Sequence, residues 1–268
     1  MQVNGNQTNL TKRNTNFGEA SVQRQKNGDL VLNAGNKNNE INVNNLGCGR
    51  YGVNVNGQQF TFNREEMQRL TINGGKGADQ IKVGAGVDVP INVNGGKGND
   101  TITNHANGTH ITGGKGNDTI RNTGNGVSID GGKGNDTVAS RGNGNTINGG
   151  KGNDSIAARG RDNFINGGNG NDNVAVRGGG NRIDGGKGND NLNAIGIGNT
   201  IQGGKGWDNI GVLGFGNVAN GGKGMDNLRG FGFANALTGG GGFDNVQNLG
   251  PAAWGYNPVA NLAALMRA

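Results

Sequence analysis

The sequence predicts an all-β protein, a parallel β-roll or β-solenoid of about ten 18-residue coils. A Gly-Gly pair opens at residues 74, 95, 113, 131, 149, 167, 185, 203, 221 and 239; the first interval is 21 residues and all the others are 18. Five residues after each first glycine stands an Asp, and two further on an aliphatic residue, without exception. A fixed period of this length marks a stacked repeat, in which each unit buries its apolar residue only against its neighbours.

Composition excludes an ordinary globular core. The 268 residues include 59 Gly and 3 Pro, and only 31% are hydrophobic. Cys48 is the single cysteine, so no intramolecular disulfide framework forms. No run approaches the 18 apolar residues of a membrane-spanning helix. Residues 1–9 lack the apolar centre of a cleaved secretory signal, so export is expected to use another route.

Residues 1–26 are rich in Asn, Gln and Thr and are expected to be mobile. Residues 27–73 read as an N-terminal capping segment. Leu30–Leu32, Ile41–Val43 and Val53–Val55 are short strands, and Asn56-Gly57 before Gln58–Phe62 signals a hairpin. Asn63 and Glu66 have the spacing of a capping box that opens a short helix. Ala34 to Ile41 resembles a decayed repeat with Asn39 at the Asp position. The solenoid occupies 74–250, and three extra residues near Val87–Pro90 read as a loop in one coil. Residues 251–268 end in an amphipathic stretch, Val259–Met266, expected to be a short C-terminal helical cap or an export signal.

Within a coil, each 18-mer reads as two nonapeptides, each a six-residue turn and a three-residue strand with one inward side chain. The second half repeats an aliphatic column (Ile111, Ile129, Ile147, Ile165, Ile183, Ile201, Leu237, with Ala219 the small exception) and an Asn column (Asn145, Asn163, Asn181, Asn199, Asn217, Asn235). Successive coils are expected to stack at about 4.8 Å.

Gly131-Gly-Lys-Gly-Asn-Asp-Thr-Val138 and its nine relatives resemble the repeats-in-toxin (RTX) haemolysin-type calcium-binding nonapeptide repeat, over roughly residues 74–247. The resemblance implies calcium ions between successive turns, up to nine of them. Their ligands would be the carboxylates of Asp79, Asp100, Asp118, Asp136, Asp154, Asp172, Asp190, Asp208, Asp226 and Asp244. Backbone carbonyls would come from the turns that open at Gly74, Gly95, Gly113, Gly131, Gly149, Gly167, Gly185, Gly203, Gly221 and Gly239. The residue types suit this chemistry independently, since calcium is a hard ion that takes six to eight oxygens and glycine lets a turn direct carbonyls inward. Only alternate nonapeptides carry Asp, so a single edge would hold metal. The resemblance further implies a secreted bacterial protein that folds on calcium outside the cell, with a structural or binding role.

Two alternatives stay open. Position three of the turn is Lys at residues 76, 97, 115, 133, 151, 187, 205 and 223, and the net charge is +6. These lysines could neutralise the Asp column without metal, or Lys97, Lys115, Lys133, Lys151, Lys187, Lys205 and Lys223 could form a polyanion edge about 35 Å long. Arg141, Arg159 and Arg177 align on the opposite turn. No aromatic residues interleave the basic coils, which argues against nucleic acid. In the last coils Trp207, Phe215, Met225, Phe231, Phe233 and Phe243 mark a patch for self-association or another partner, unless the C-terminal segment covers it. No His-Glu-x-x-His, Gly-x-Ser-x-Gly or P-loop sequence is present, and no enzyme is expected.

Overall fold

A computed structural model describes residues 20–250. The chain first forms β1 (Ser21–Arg24), β2 (Leu30–Asn33), β3 (Glu40–Gly47), β4 (Arg50–Val55), β5 (Gln58–Asn63), α1 (Arg64–Gln68), β6 (Leu70–Lys76) and β7 (Gln80–Val83). From there, strands alternate between two sheets up to the last pair, Ala236–Gly241 and Asn245–Leu249. One sheet has 12 strands and the other 13, and neighbours in each come from successive coils. Every coil-to-coil pairing is parallel and offset by one repeat, as in Ile111↔Ile129↔Ile147 and Ile120↔Val138↔Ile156. Over the described residues the protein is an all-β parallel solenoid with one short helix.

The strands exceed the expected three residues and point two positions inward, not one. Thr146–Lys151 buries Ile147 and Gly149, and Ser155–Arg159 buries Ile156 and Ala158. The strands lengthen because the Gly-Gly pair continues the ladder on one sheet. On the other, a second interior column runs Asn104, Asn122, Ser140, Ala158, Val176, Ala194, Val212. That column and the Asn column exchange polarity. Where the turn position is Val127, the strand offers Asn122, whose Nδ2 donates to Gly124 O at 3.0 Å. Once the turn carries Asn163 onward, the strand turns to Ala and Val. From Asn104 onward each coil keeps one amide inside without crowding two together.

The Asn column is a closed hydrogen-bond system. The backbone N–H and Nδ2 of Asn163 both donate to Asn181 Oδ1 at 3.0 Å, and Asn181 Nδ2 donates back to Gly160 O at 3.1 Å. The same pattern runs through Asn199 and Asn217.

The decayed repeat is a true coil. β2 pairs in parallel with β6, and β3 with β7. β4 and β5 form an antiparallel hairpin through Asn56 and Gly57, both at positive φ. Asn63 and Glu66 complete the capping box of α1, and Met67 is buried under it. Two expectations need correction. Ser21–Arg24, in the stretch expected to be mobile, pairs antiparallel with β2, which would otherwise be an open sheet edge. The extra residues of the 21-residue interval are also more than a loop. They bury Val87 and Val89, and Asp88 accepts hydrogen bonds from Tyr51 Oη and from Arg64 Nη1 (2.9 Å), so the insertion fastens β4 and α1 to the coils. The Tyr51 and Arg64 hydrogen bonds hold the Asp88 carboxyl below its ordinary range. The expected C-terminal helix lies outside the described residues.

Asn181→Ala should lower the denaturant midpoint of the folded protein, because it strands the two Asn163 donors at about 1–3 kcal/mol each. Asn148→Ala, on the outer face, should stay within about 0.5 kcal/mol of the parent. Equal midpoints for the two variants would show that the buried amide column contributes nothing.

Candidate metal centre

Each Gly-Gly-x-Gly-x-Asp turn is shaped by its second and fourth residues, such as Gly132 (φ 106°) and Gly134 (φ 126°). A Cβ on Gly134 would lie 2.0 Å from Gly116 O of the adjacent coil, so a larger residue would prise the coils apart. The turn swings the Asp side chain inward. Asp79, Asp100, Asp118, Asp136, Asp154, Asp172, Asp190, Asp208 and Asp226 are buried, and Asp244 in the last coil is half-buried.

The two carboxylate oxygens differ in fate. Oδ1 accepts the backbone N–H of the preceding coil's Asp: Asp100 N donates to Asp118 Oδ1 at 2.8 Å, Asp118 N to Asp136 Oδ1 at 2.7 Å, and so on to Asp226 and Asp244 at 2.9 Å. Oδ2 of all nine buried residues, from Asp79 to Asp226, is buried without a hydrogen-bond partner. A Cβ built on Gly74 would lie 2.5 Å from both Asp79 Oδ2 and Gly95 O. The same cradle recurs at Gly95, Gly113, Gly131, Gly149, Gly167, Gly185, Gly203 and Gly221, with a carboxylate oxygen on one side and the next coil's first-glycine carbonyl on the other. Two acceptors therefore border each cradle.

Asn39 shows what a neutral solution looks like. At the Asp position of the first coil, its Nδ2 donates to Asp79 Oδ1 (2.8 Å) and to Gly74 O (3.3 Å). Where Asn39 supplies a donor, each Asp presents another acceptor, and an unpaired buried acceptor costs about 1–3 kcal/mol, more if charged. Either a proton or a cation relieves this. Burial pushes the Asp118 and Asp172 carboxyls up to about 7, and Asp100, Asp136 and Asp208 up to about 6. Asp79, Asp154, Asp190 and Asp226 are also raised, again chiefly by burial.

The donor set fits a hard cation, because both polar atoms that border each cradle are oxygens. Among the described residues no three acidic, His or Cys side chains converge on one point. Carboxylates arrive one per coil, so backbone carbonyls and water would complete any shell.

Neutralisation of the Asp column by lysine is overturned. The Lys side chains are exposed on the outside while the Asp side chains point in. The ion pairs among the described residues are Arg24–Glu66 and Arg64–Asp88, neither of them in the columns. The lysines do align in register, as do Arg141, Arg159 and Arg177. Trp207, Phe215, Met225 and Phe243 are exposed, and Phe231 and Phe233 half-buried.

The sequence reading passed over a second column on the same edge. Asn99 Oδ1 accepts from Asn117 N at 2.8 Å, and Asn117, Asn135, Asn153, Asn171 and Asn189 continue the pattern to Trp207 N. Its signal was available, since Asn precedes Asp in six consecutive turns.

A parallel solenoid with a buried column of unpaired carboxylate oxygens inside one edge defines a repeat protein whose donor set suits cations. Six segments, 71–90, 92–103, 109–121, 127–147, 141–174 and 176–194, match the family described as RTX calcium-binding nonapeptide repeat (4 copies). RTX calcium-binding nonapeptide repeats are thus detected across residues 71–194. No curated protein and no solved structure matches it.

The raised carboxyls fix the sign of the apo protein's pH dependence. Their folded pKa lies above the ordinary value of 3.8, so without metal the native state holds more protons than the unfolded chain between about 4 and 7. Stability in chelator is thus greatest below about pH 4 and falls as pH rises through 6–7. Urea midpoints measured in chelator should decline across this range, and a midpoint that rises towards pH 8 would contradict the buried column. Asp136→Asn with Asp154→Asn, which copies Asn39, should let the β spectrum persist in chelator to higher pH than in the parent and should lower the calcium stoichiometry.

Proposed function

We propose that the chain is a secreted calcium-binding solenoid that folds on calcium outside the cell and then serves as a structural or binding module. The nine buried Oδ2 atoms without a partner carry this reading. In the cytosol or in chelator at neutral pH, nine acceptors would face carbonyls in a narrow core, and the unfolded chain would keep them hydrated. A cation between coils replaces that water with an attraction on each side. Because the unfolded chain has no such cradle, binding free energy becomes folding free energy.

In this reading Asp79 through Asp244 supply the side-chain oxygens and the turns opening at Gly74 through Gly239 the carbonyls. Up to nine ions occupy the gaps between ten turns. The metal supplies positive charge and coordination; the chain's own contribution is to hold Oδ1 in the inter-coil bond so that Oδ2 stays aimed at the cradle. Residues 27–73, with β1 paired to β2, serve as the N-terminal cap, and 251–268 as the C-terminal cap or export signal. The reading assigns the chain no catalysis. Secretion follows from the setting in which RTX repeats ordinarily work and from the extracellular calcium range of about 10⁻⁴–10⁻³ M. Among the described residues no helix is long and apolar enough to cross a membrane.

Far-UV circular dichroism of chelated protein at pH 7.5–8, followed as calcium is added to about 10 mM, tests the proposal. A cooperative coil-to-β transition is expected. A complete β spectrum in chelator, unmoved by calcium, would overturn it.

A further inference from the structure

The last coils break the rules that the earlier coils keep, on the same edge that carries the lysines. Six turns in succession place Asn before Asp, and each of those side chains accepts the next coil's backbone N–H. The next three turns place Trp207, Met225 and Phe243 there. None can accept such a bond, so Met225 and Phe243 lose the acceptor that earlier coils enjoy. Nor do these side chains enter the core: they are 61%, 44% and 90% exposed. Their exposure costs hydration, and they have given up an inter-coil clamp.

Beside them runs an unpaired cation row. Lys187, Lys205 and Lys223 stand in register, each flanked by glycines on both sides, and no ion pair among the described residues engages them. Lys205 and Trp207 share one coil, as do Lys223 and Met225, two residues apart in each case. We infer that this edge docks on an anionic lipid surface, with Lys187, Lys205 and Lys223 at the headgroups and Trp207, Met225 and Phe243 in the interface.

Lysine has the chemistry for anionic headgroups, and Trp and Phe favour the boundary between headgroup and acyl chain. The opposite edge lacks this arrangement. There the register column of Arg141, Arg159 and Arg177 gives way to Ile195 and Leu213, so along that column cation and apolar side chain occupy different coils. Nucleic acid fits less well, because one indole in a column offers no succession of stacking platforms. A second copy of the chain would bring like charges together. The inference rests on the fold and not on calcium.

Vesicles of phosphatidylcholine, alone or mixed with phosphatidylserine, test it on the full chain with Trp254→Phe, which leaves Trp207 as the single indole. The measurement is made with calcium present and repeated in chelator if the chain folds there, so that a failure of metal binding is seen separately by circular dichroism. Co-sedimentation with the phosphatidylserine vesicles only, and a blue shift of Trp207 emission on binding, are expected. Lys205→Gln and Lys223→Gln should each weaken binding about fivefold, and Phe243→Ser or Met225→Gln should weaken it without changing the β spectrum. Arg159→Gln with Arg177→Gln should bind as the parent does. Absence of a phosphatidylserine preference, or Lys and Phe243 variants that bind like the parent, overturns the inference. So does retention on heparin or DNA with no vesicle association, which would assign the row to a soluble polyanion.

Discussion

A carboxylate oxygen and a backbone carbonyl oxygen border the same interior point in coil after coil, and the rest of the structure is arranged around that unfavourable meeting. The glycines bring the two together, since any Cβ at Gly131 would lie 2.4 Å from Gly149 O and 2.6 Å from Asp136 Oδ2. Hydrogen bonding from one Asp to the next prevents the carboxylate from turning away, because Oδ1 is already committed to the neighbouring N–H. What remains is Oδ2, buried and unmatched. Neighbouring carboxylates sharpen the problem, because Asp100 and Asp136 both raise the proton affinity of Asp118. A proton or a bound cation would relieve a column of this kind.

Parallel stacking in register makes every residue the neighbour of its own kind. Asn suits that constraint, because its amide both donates and accepts, and the Asn163–Asn217 column closes on itself. Lys survives it only by facing water, where like charges about 4.8 Å apart are screened. Asp satisfies it least well of the three when buried. The two edges therefore carry the same inter-coil bond, backbone N–H to side-chain Oδ1, with opposite consequences. Replacing Nδ2 by Oδ2 turns a self-sufficient ladder into one with an unpaired buried acceptor in each coil.

The repeat, the sheet type and the identity of the inward aliphatic columns were legible because translation by 18 residues leaves the same residue class in the same place. The Asp column was legible as a candidate through its spacing and its resemblance to RTX turns. Its direction relative to lysine was not. Lys133 and Asp136 stand three apart, a separation at which sequence does not say which side of a turn each faces; the positive φ of Gly132 and Gly134 decides it. The Val87–Val89 insertion looked like a surface loop because its partners, Tyr51 and Arg64, are distant in sequence. Two inward positions per strand were missed because one is a glycine and the other changes from Asn to Ala and Val along the chain. A column that changes residue class escapes a search for constant residues.

The column also has a direction. At its N-terminal end Asn39 supplies an amide to Asp79, so the first coil of the stack is paired without any ion. At the other end Asp244 receives the N–H of Asp226 and has no following coil among the described residues to which its own N–H could donate. The latch between Asp88, Tyr51 and Arg64 lies at the finished end as well. A one-dimensional array gains stability mainly from nearest-neighbour interfaces, so an already satisfied first coil lowers the cost of adding the second. Ordering is therefore biased to begin at the capped N-terminal coils and to proceed one cradle at a time, because each new coil brings the carbonyl that completes the cradle before it. The coils at the far end are those that carry Trp207, Met225 and Phe243, where the Asn clamp beside the Asp column has been given up while the buried Asn column continues through Asn217 and Asn235.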